Sequence, residues 1–199
     1  MNYESMFKKM EAYLPIGHSL KSYLQVAIER KELNKNETLN TSQVEDYPVI
    51  FIESGNFKTV LESLIEPGQQ LLQFHFQGNF LVYFLEQNQQ DYKLTIQSLS
   101  DTKLLCIPAK HIFTLHKVFP EFHQLIQKLY QKEMLGLLHD TFAIKNLTGK
   151  QRFARMMETK PDIFQIAPST DICRSIGVHS HTLSTLKTAY FAALKTKRG

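Results

Sequence analysis

The hydrophobic positions of this chain change their period several times along its 199 residues. Near the start, Met6, Met10, Tyr13 and Leu14, then Leu20, Leu24 and Ile28, recur at helical spacing with Pro15 and Gly17 between them, predicting two short helices. The polar stretch KELNKNETLNTSQVED (31–46) offers only Leu33, Leu39 and Val44, enough for a short edge strand. From Pro48 to Ile107 the pattern becomes short apolar or alternating runs: PVIFIE, FKTVLESLI, QLLQFHF, FLVYFL, YKLTIQSL and KLLCIP. Turn residues such as Ser54-Gly55-Asn56, Glu66-Pro67-Gly68 and Gln77-Gly78-Asn79, and the polar loop EQNQQD, separate them. About six or seven strands in some sixty residues predict a compact antiparallel sandwich or roll.

After Pro120, a residue suited to a helix start, Phe122, Leu125, Ile126, Leu129, Tyr130, Met134, Leu137, Leu138 and Phe142 recur at helical intervals over roughly 25 residues. Two arrangements fit this broad stripe. It is either a single core-facing helix, or a helix that packs both on the β unit and on a second copy of itself. Thr148 and Gln151 have capping-box spacing, predicting a helix with Phe153, Met156 and Met157 inward that stops near Lys160, before Pro161. Ser169 can cap the helix that follows.

Composition adds limits. With 43% hydrophobic and 21% charged residues the chain reads as globular rather than disordered. No apolar run approaches the ~18 residues of a membrane helix, and MNYESMFKKM lacks the basic-then-apolar layout of a secretory signal. Cys106 and Cys173 fall in separate segments with neither disulfide nor zinc spacing, so the expected setting is a reducing cytoplasm. The net charge of +4 is unevenly placed: residues 145–199 hold ten Lys and Arg against Glu158, Asp162 and Asp171, a net +7, which leaves −3 for residues 1–144. A basic C-terminal third suggests a polyanionic partner, with a merely solvated basic surface as the alternative.

Within that third, IAPSTDICRSIGVHSHTLSTLKT (166–188) reads as two short helices hinged at Ser175-Ile176-Gly177-Val178. Ile172 and Ile176 would face Val178, Leu183 and Leu186, small Cys173 permits close approach, and Gly177 can take a positive φ at the turn. On the second helix Ser180, His181, Thr182, Ser184, Thr185 and Lys187 are the polar positions open to DNA. Lys187, Lys195, Lys197 and Arg198 supply attraction without base choice. Thr185 makes only a short, weakly selective contact where Arg would read guanine.

The order of elements, together with VIFIESGNFKTVLES and LTGKQRFARMMETKPDIFQIAPSTDICRSIGVHSHTLSTLK, resembles the Crp/Fnr family of bacterial transcription regulators, especially divergent members from Bacteroidetes-type bacteria. Pro161, Pro168, Ile172, Gly177, Thr182, Leu183 and Ser184 carry the likeness, which spans nearly the whole chain. It implies an α+β fold: an N-terminal antiparallel β-roll like those that bind cyclic nucleotides, a long dimerisation helix, and a C-terminal winged-helix-like helix-turn-helix module. The implied divisions are 1–118, 119–144 and 145–199. In nucleotide-binding relatives a Gly-Glu turn holds the ribose and an Arg neutralises the cyclic phosphate. Here Val82 and Tyr83 stand at the Gly-Glu position and Lys93 near the Arg, an ammonium without the planar two-point fit of guanidinium. The module departs too, with Thr185 where many relatives have Arg, His179 for a capping Thr, and Ser180 for Pro.

Other chemistries lack a constellation. His179 and His181 do not share a helical face, and His111, His116 and His123 have no fixed carboxylate or cysteine partner in sequence. No nucleophile elbow, P-loop or dinucleotide fingerprint is present, and the two cysteines read as buried small residues. The expectation is a non-enzymatic homodimer that binds double-stranded DNA. It would carry no cofactor, no metal and no cyclic nucleotide, and its degenerate roll would answer to an unknown small-molecule effector or to none. The competing expectation is a ligand-binding or protein-interaction module that has lost specific DNA recognition.

Overall fold

Two short helices open the chain, α1 (Glu4–Glu11) and α2 (His18–Ala27), with Met6, Phe7, Met10, Leu20 and Leu24 buried. The structure, a computed structural model, describes residues 3–66, 70–83 and 91–196. It divides into two compact units, Met1–Met134 and Leu135–Gly199.

In the first unit the strands are β1 (Glu29–Leu33), β2 (Thr38–Asn40), β3 (Val49–Ser54), β4 (Asn56–Ser63), β5 (Gln70–Phe76), β6 (Phe80–Val82), β7 (Tyr92–Ser98) and β8 (Thr102–Ile107). They pair in two four-stranded antiparallel sheets, ordered β1-β8-β3-β6 and β2-β7-β4-β5. Strands β3, β6 and β8 of the first sheet are apolar on both faces. Ile50, Ile52, Leu81, Leu104 and Cys106 meet Leu39, Phe57, Leu94 and Ile96 of the second sheet. Val49, Phe51, Phe80, Val82, Leu105 and Ile107 turn the other way, onto a core with α1, α2, α4 (Ala109–Val118) and the first half of α5 (Pro120–Asn146). A strand covered on both faces needs no polar alternation, which is why VIFI is an unbroken run. Gly55, at φ +89°, turns β3 into β4; a Cβ there would lie 2.6 Å from Thr102 Oγ1. Only glycine tolerates both the backbone and the approach.

The polar stretch 31–46 is more ordered than one edge strand. It holds the end of β1, then β2, then α3 (Thr41–Asp46), which buries Val44. The cause is a capping box led by asparagine: Gln43 N–H donates to Asn40 Oδ1 at 3.0 Å and Asn40 N–H donates to Gln43 Oε1 at 3.0 Å.

The second unit contains the end of α5, α6 (Gly149–Thr159), α7 (Ile163–Ile166), α8 (Ser169–Ile176) and α9 (Ser180–Thr196). The Thr148–Gln151 box forms as its spacing predicts, with Thr148 N–H donating to Gln151 Oε1 at 2.9 Å and Gln151 N–H to Thr148 Oγ1 at 3.3 Å. Phe153, Met156 and Met157 are buried and α6 is capped by Lys160. Ser169 does not cap α8. Pro168 takes that place, its carbonyl accepting the N–H groups of Asp171 and Ile172 at 3.0 and 3.1 Å, and Ser169 lies inside the first turn. Among the described residues this unit is built of helices alone: IFQI, between the two prolines, closes a single turn as α7, and no strand forms a wing.

Candidate nucleic-acid interface and effector region

The hinge between α8 and α9 is set by hydrogen bonding. Gly177 adopts φ +61°, ψ +48°, in the left-handed region. Its N–H donates to Arg174 O at 3.3 Å while Val178 N–H reaches back to Cys173 O at 3.0 Å. This pair of bonds is the Schellman ending, which satisfies carbonyls that a helix end leaves open. His179 O then accepts Leu183 N–H at 3.0 Å, opening α9. Ile172, Cys173, Ile176 and Leu183 are buried between the helices.

Farther along, α9 is anchored by an aromatic cluster. Tyr190 meets Phe153 edge-on at 5.8 Å, and Phe191 meets Phe164 at 6.4 Å. With Leu183 and Tyr190 turned inward, Ser180, His181, Thr182, Ser184, Thr185 and Lys187 are all exposed, so the six predicted DNA-facing positions lie together on one accessible helix. Two of them have internal partners. Thr185 Oγ1 donates to His181 O at 3.1 Å, leaving the oxygen's acceptor capacity and the methyl group to a ligand. The Lys187 ammonium lies over the Phe164 ring, 4.5 Å from its centroid. Lys197 and Arg198 lie outside the described residues, as does the side chain of Lys195.

The long helix α5 presents two faces. Phe122, Leu125, Ile126 and Leu129 are buried in the first unit's core. Tyr130, Met134, Leu135, Leu137, Leu138, Phe142 and Ile144 are exposed large hydrophobics. At about 100° per residue, these seven span roughly half the helix circumference with Met134 and Leu138 near the middle.

Of the predicted effector residues, the structure keeps Val82 and Tyr83 adjacent and sets Lys93 apart. Val82 is buried in the helix-facing core. The Tyr83 hydroxyl shares a 2.7 Å hydrogen bond with Thr59 Oγ1, which in turn is 2.9 Å from His75 Nε2. Thr59 and His75 are buried, and Tyr83 packs against the core between the sheets. Burial, with the Glu133 carboxylate adding to it, pushes the Tyr83 phenol well above its usual range; Glu133 is itself raised by burial. Lys93 is exposed and pairs in register with Glu62, while its neighbour Leu94 pairs with Leu61 and is buried. Since side chains alternate along a strand, Lys93 points away from the roll interior. The segment 84–90, with all of the predicted loop EQNQQD but Asp91, lies outside the described residues.

Sequence reading missed Thr59 and His75 because neither carries a motif; only the fold brings them to Tyr83. It also missed Arg152. Its guanidinium donates from Nε to Ile176 O at 2.6 Å, from Nη2 to Gly177 O at 2.9 Å, and from Nη1 to Leu147 O and, at 3.5 Å, Ile144 O. Elsewhere, burial pushes the Cys106 thiol up to about 12 and raises that of Cys173. Among the described residues no group of three or more His, Cys, Asp or Glu could hold a metal ion, and no helix is long and apolar enough to cross a membrane.

No protein-family model and no curated protein matches this sequence. Solved structures do. A transcriptional regulator of the Crp/Fnr family from Eubacterium rectale superposes with a TM-score of 0.67 at 14% identity, over 92% of this chain and 88% of that one. This chain has the fold of the Crp/Fnr regulators. FixK2 from Bradyrhizobium japonicum shares that fold with a TM-score of 0.66 at 14% identity, over 83% and 85% of the two chains. So does CLP, a c-di-GMP responsive global regulator from Xanthomonas campestris, with a TM-score of 0.63 at 12% identity over 89% and 93%. At these identities the Crp/Fnr likeness is one of architecture: a two-sheet roll, a long helix and a helical C-terminal unit.

Proposed function

We propose that this chain is a homodimeric, non-enzymatic transcription regulator that grips double-stranded DNA with α9. The carrying observation is the α8–Gly177–α9 hinge, which exposes Ser180, His181, Thr182, Ser184, Thr185 and Lys187 on a segment of net charge +7. Hydroxyls and backbone N–H groups at the start of such a helix hold phosphates, while side chains farther along approach base edges. The basic surroundings add counterion release. In this reading residues 1–118 form the sensor-like roll, 119–144 the dimer helix and 145–199 the DNA-binding module. The apolar face of α5 is the dimer contact, pairing two α9 helices for half-sites about 34 Å apart.

The roll, in the same proposal, is a degenerate effector domain that does not take cyclic AMP. Tyr83 is already bonded to Thr59 beside the core, and Lys93 faces away from it. Any effector would be a different small molecule, acting by shifting the populations of α5 packing and so the spacing of the two α9 helices. Selection from a pool of random duplexes tests the reading. Enrichment of a sequence with two related half-sites is expected, and an unenriched pool with no retained DNA would reject it.

A second reading, a ligand-binding or protein-interaction module without operator recognition, draws on the short side chains of α9 and the internal bonds of Thr185 and Lys187. Retained DNA without sequence enrichment would favour it.

A further inference from the structure

We infer that Arg152 is a positioning residue for α9, a clamp that holds the helix-turn-helix at a set bearing to the last turns of α5; this rests on the reading of α9 as the DNA-facing element. The guanidinium spans two helix ends. Ile144 and Leu147 belong to the C-terminal end of α5 and its exit, while Ile176 and Gly177 belong to the C-terminal end of α8 and the hinge. Helix C-termini leave carbonyls without intrahelical donors and carry partial negative charge, so a cation at their meeting point is doubly favoured. Guanidinium is also the side chain whose planar fork can donate in several fixed directions at once.

A close approach of the two segments coincides with the clamp. A Cβ on Gly177 would lie 3.4 Å from Ile144 Cδ1 and 3.6 Å from Arg152 Nη2, so hinge, guanidinium and α5 meet at one turn. Since Gly177 also precedes α9 by three residues, the bonds that fix its carbonyl fix the direction in which α9 leaves. The positive charge of Arg152 is therefore committed to carbonyl oxygens within the protein rather than to phosphates.

The test uses the full chain with spin labels at His139→Cys on α5 and Ala189→Cys on α9, in a Cys106→Ala, Cys173→Ala background, diluted with excess unlabelled chain. Pulsed EPR should give a narrow distance distribution that widens at least about twofold in Arg152→Met. Arg152→Lys should stay wide, because one ammonium cannot span carbonyls on two helix ends. Circular dichroism reports folding, and if Arg152→Met does not fold, Arg152→Lys carries the comparison. In parallel, the unlabelled Arg152→Met chain should bind a selected duplex roughly 10- to 100-fold more weakly, with an unchanged slope of log affinity against log salt.

An unaltered distance distribution would overturn the clamp. So would a salt slope reduced by about 0.9, the mark of a lost phosphate contact. A distribution that widens in a protein whose wild type binds no duplex would reject the DNA reading while leaving the clamp intact.

Discussion

Replacing Leu138 with Asp should separate the proposed dimer without unfolding the chain. Leu138 sits near the middle of the uncovered α5 face and is 58% exposed in the single chain. Fully burying a leucine is worth about 1.5–3 kcal/mol, so the surface still uncovered is worth about 1–2 kcal/mol per chain. A two-fold axis counts the residue twice, giving about 2–4 kcal/mol, or a roughly 30- to 700-fold weaker dimer at 1.4 kcal/mol per decade. The desolvation of two aspartates adds to this, making it a lower bound. Sedimentation equilibrium over a concentration series reads the constant directly. His139→Asp, exposed on the same helix but off the stripe, is the control and should leave it unchanged. A wild type that sediments as a monomer at about 100 μM, or a Leu138→Asp chain with the wild-type constant, would refute the assignment of this face.

Further outcomes follow from other sites. Gly177→Ala should lower the stability of the protein by about 1–2 kcal/mol in urea unfolding, because alanine is strained at φ +61°; an unchanged midpoint would mean the hinge relaxes. Tyr83→Phe should cost about 0.5–1.5 kcal/mol in the same assay, since it deprives Thr59 of a partner, and wild-type protein titrated with cyclic AMP should give no binding heat. His116, held below its ordinary 6.5 by burial and by His123 whose Nδ1 lies 2.9 Å from its own, binds protons less readily folded than unfolded. Stability from this group is complete above pH 6.5 and declines as pH falls toward the lowered value, so His116→Gln should flatten the acid side of the stability profile. Equal slopes in the two proteins would contradict it.

The legible parts of the sequence were those governed by short-range rules. Thr148 and Gln151 announce α6 because a capping box is local, and Gly177 announces the hinge because its backbone angle excludes most other residues. The continuous VIFI run correctly marked a strand, although which face each residue covers depends on two cores that exist only after folding. Asn40 led an unseen capping box in a segment whose polarity suggested little structure. The surroundings of the predicted effector residues were least legible. Thr59, His75 and Tyr83 come from different strands or strand ends, and Lys93 is turned outward by strand alternation, which a register in sequence alone does not reveal. Arg152 illustrates the same limit. Counted by composition it is one of ten C-terminal cations, yet its donors meet backbone oxygens.

The central claim, that paired α9 helices bind duplex DNA, is tested most directly by fluorescence anisotropy of a labelled duplex across a salt series, with sedimentation of the same mixture to count chains per duplex. The account predicts two chains per duplex and an affinity that falls with salt on a log–log line, with slope about −0.9 for each phosphate neutralised. No binding at the lowest salt, or saturation by one chain per duplex, would contradict it.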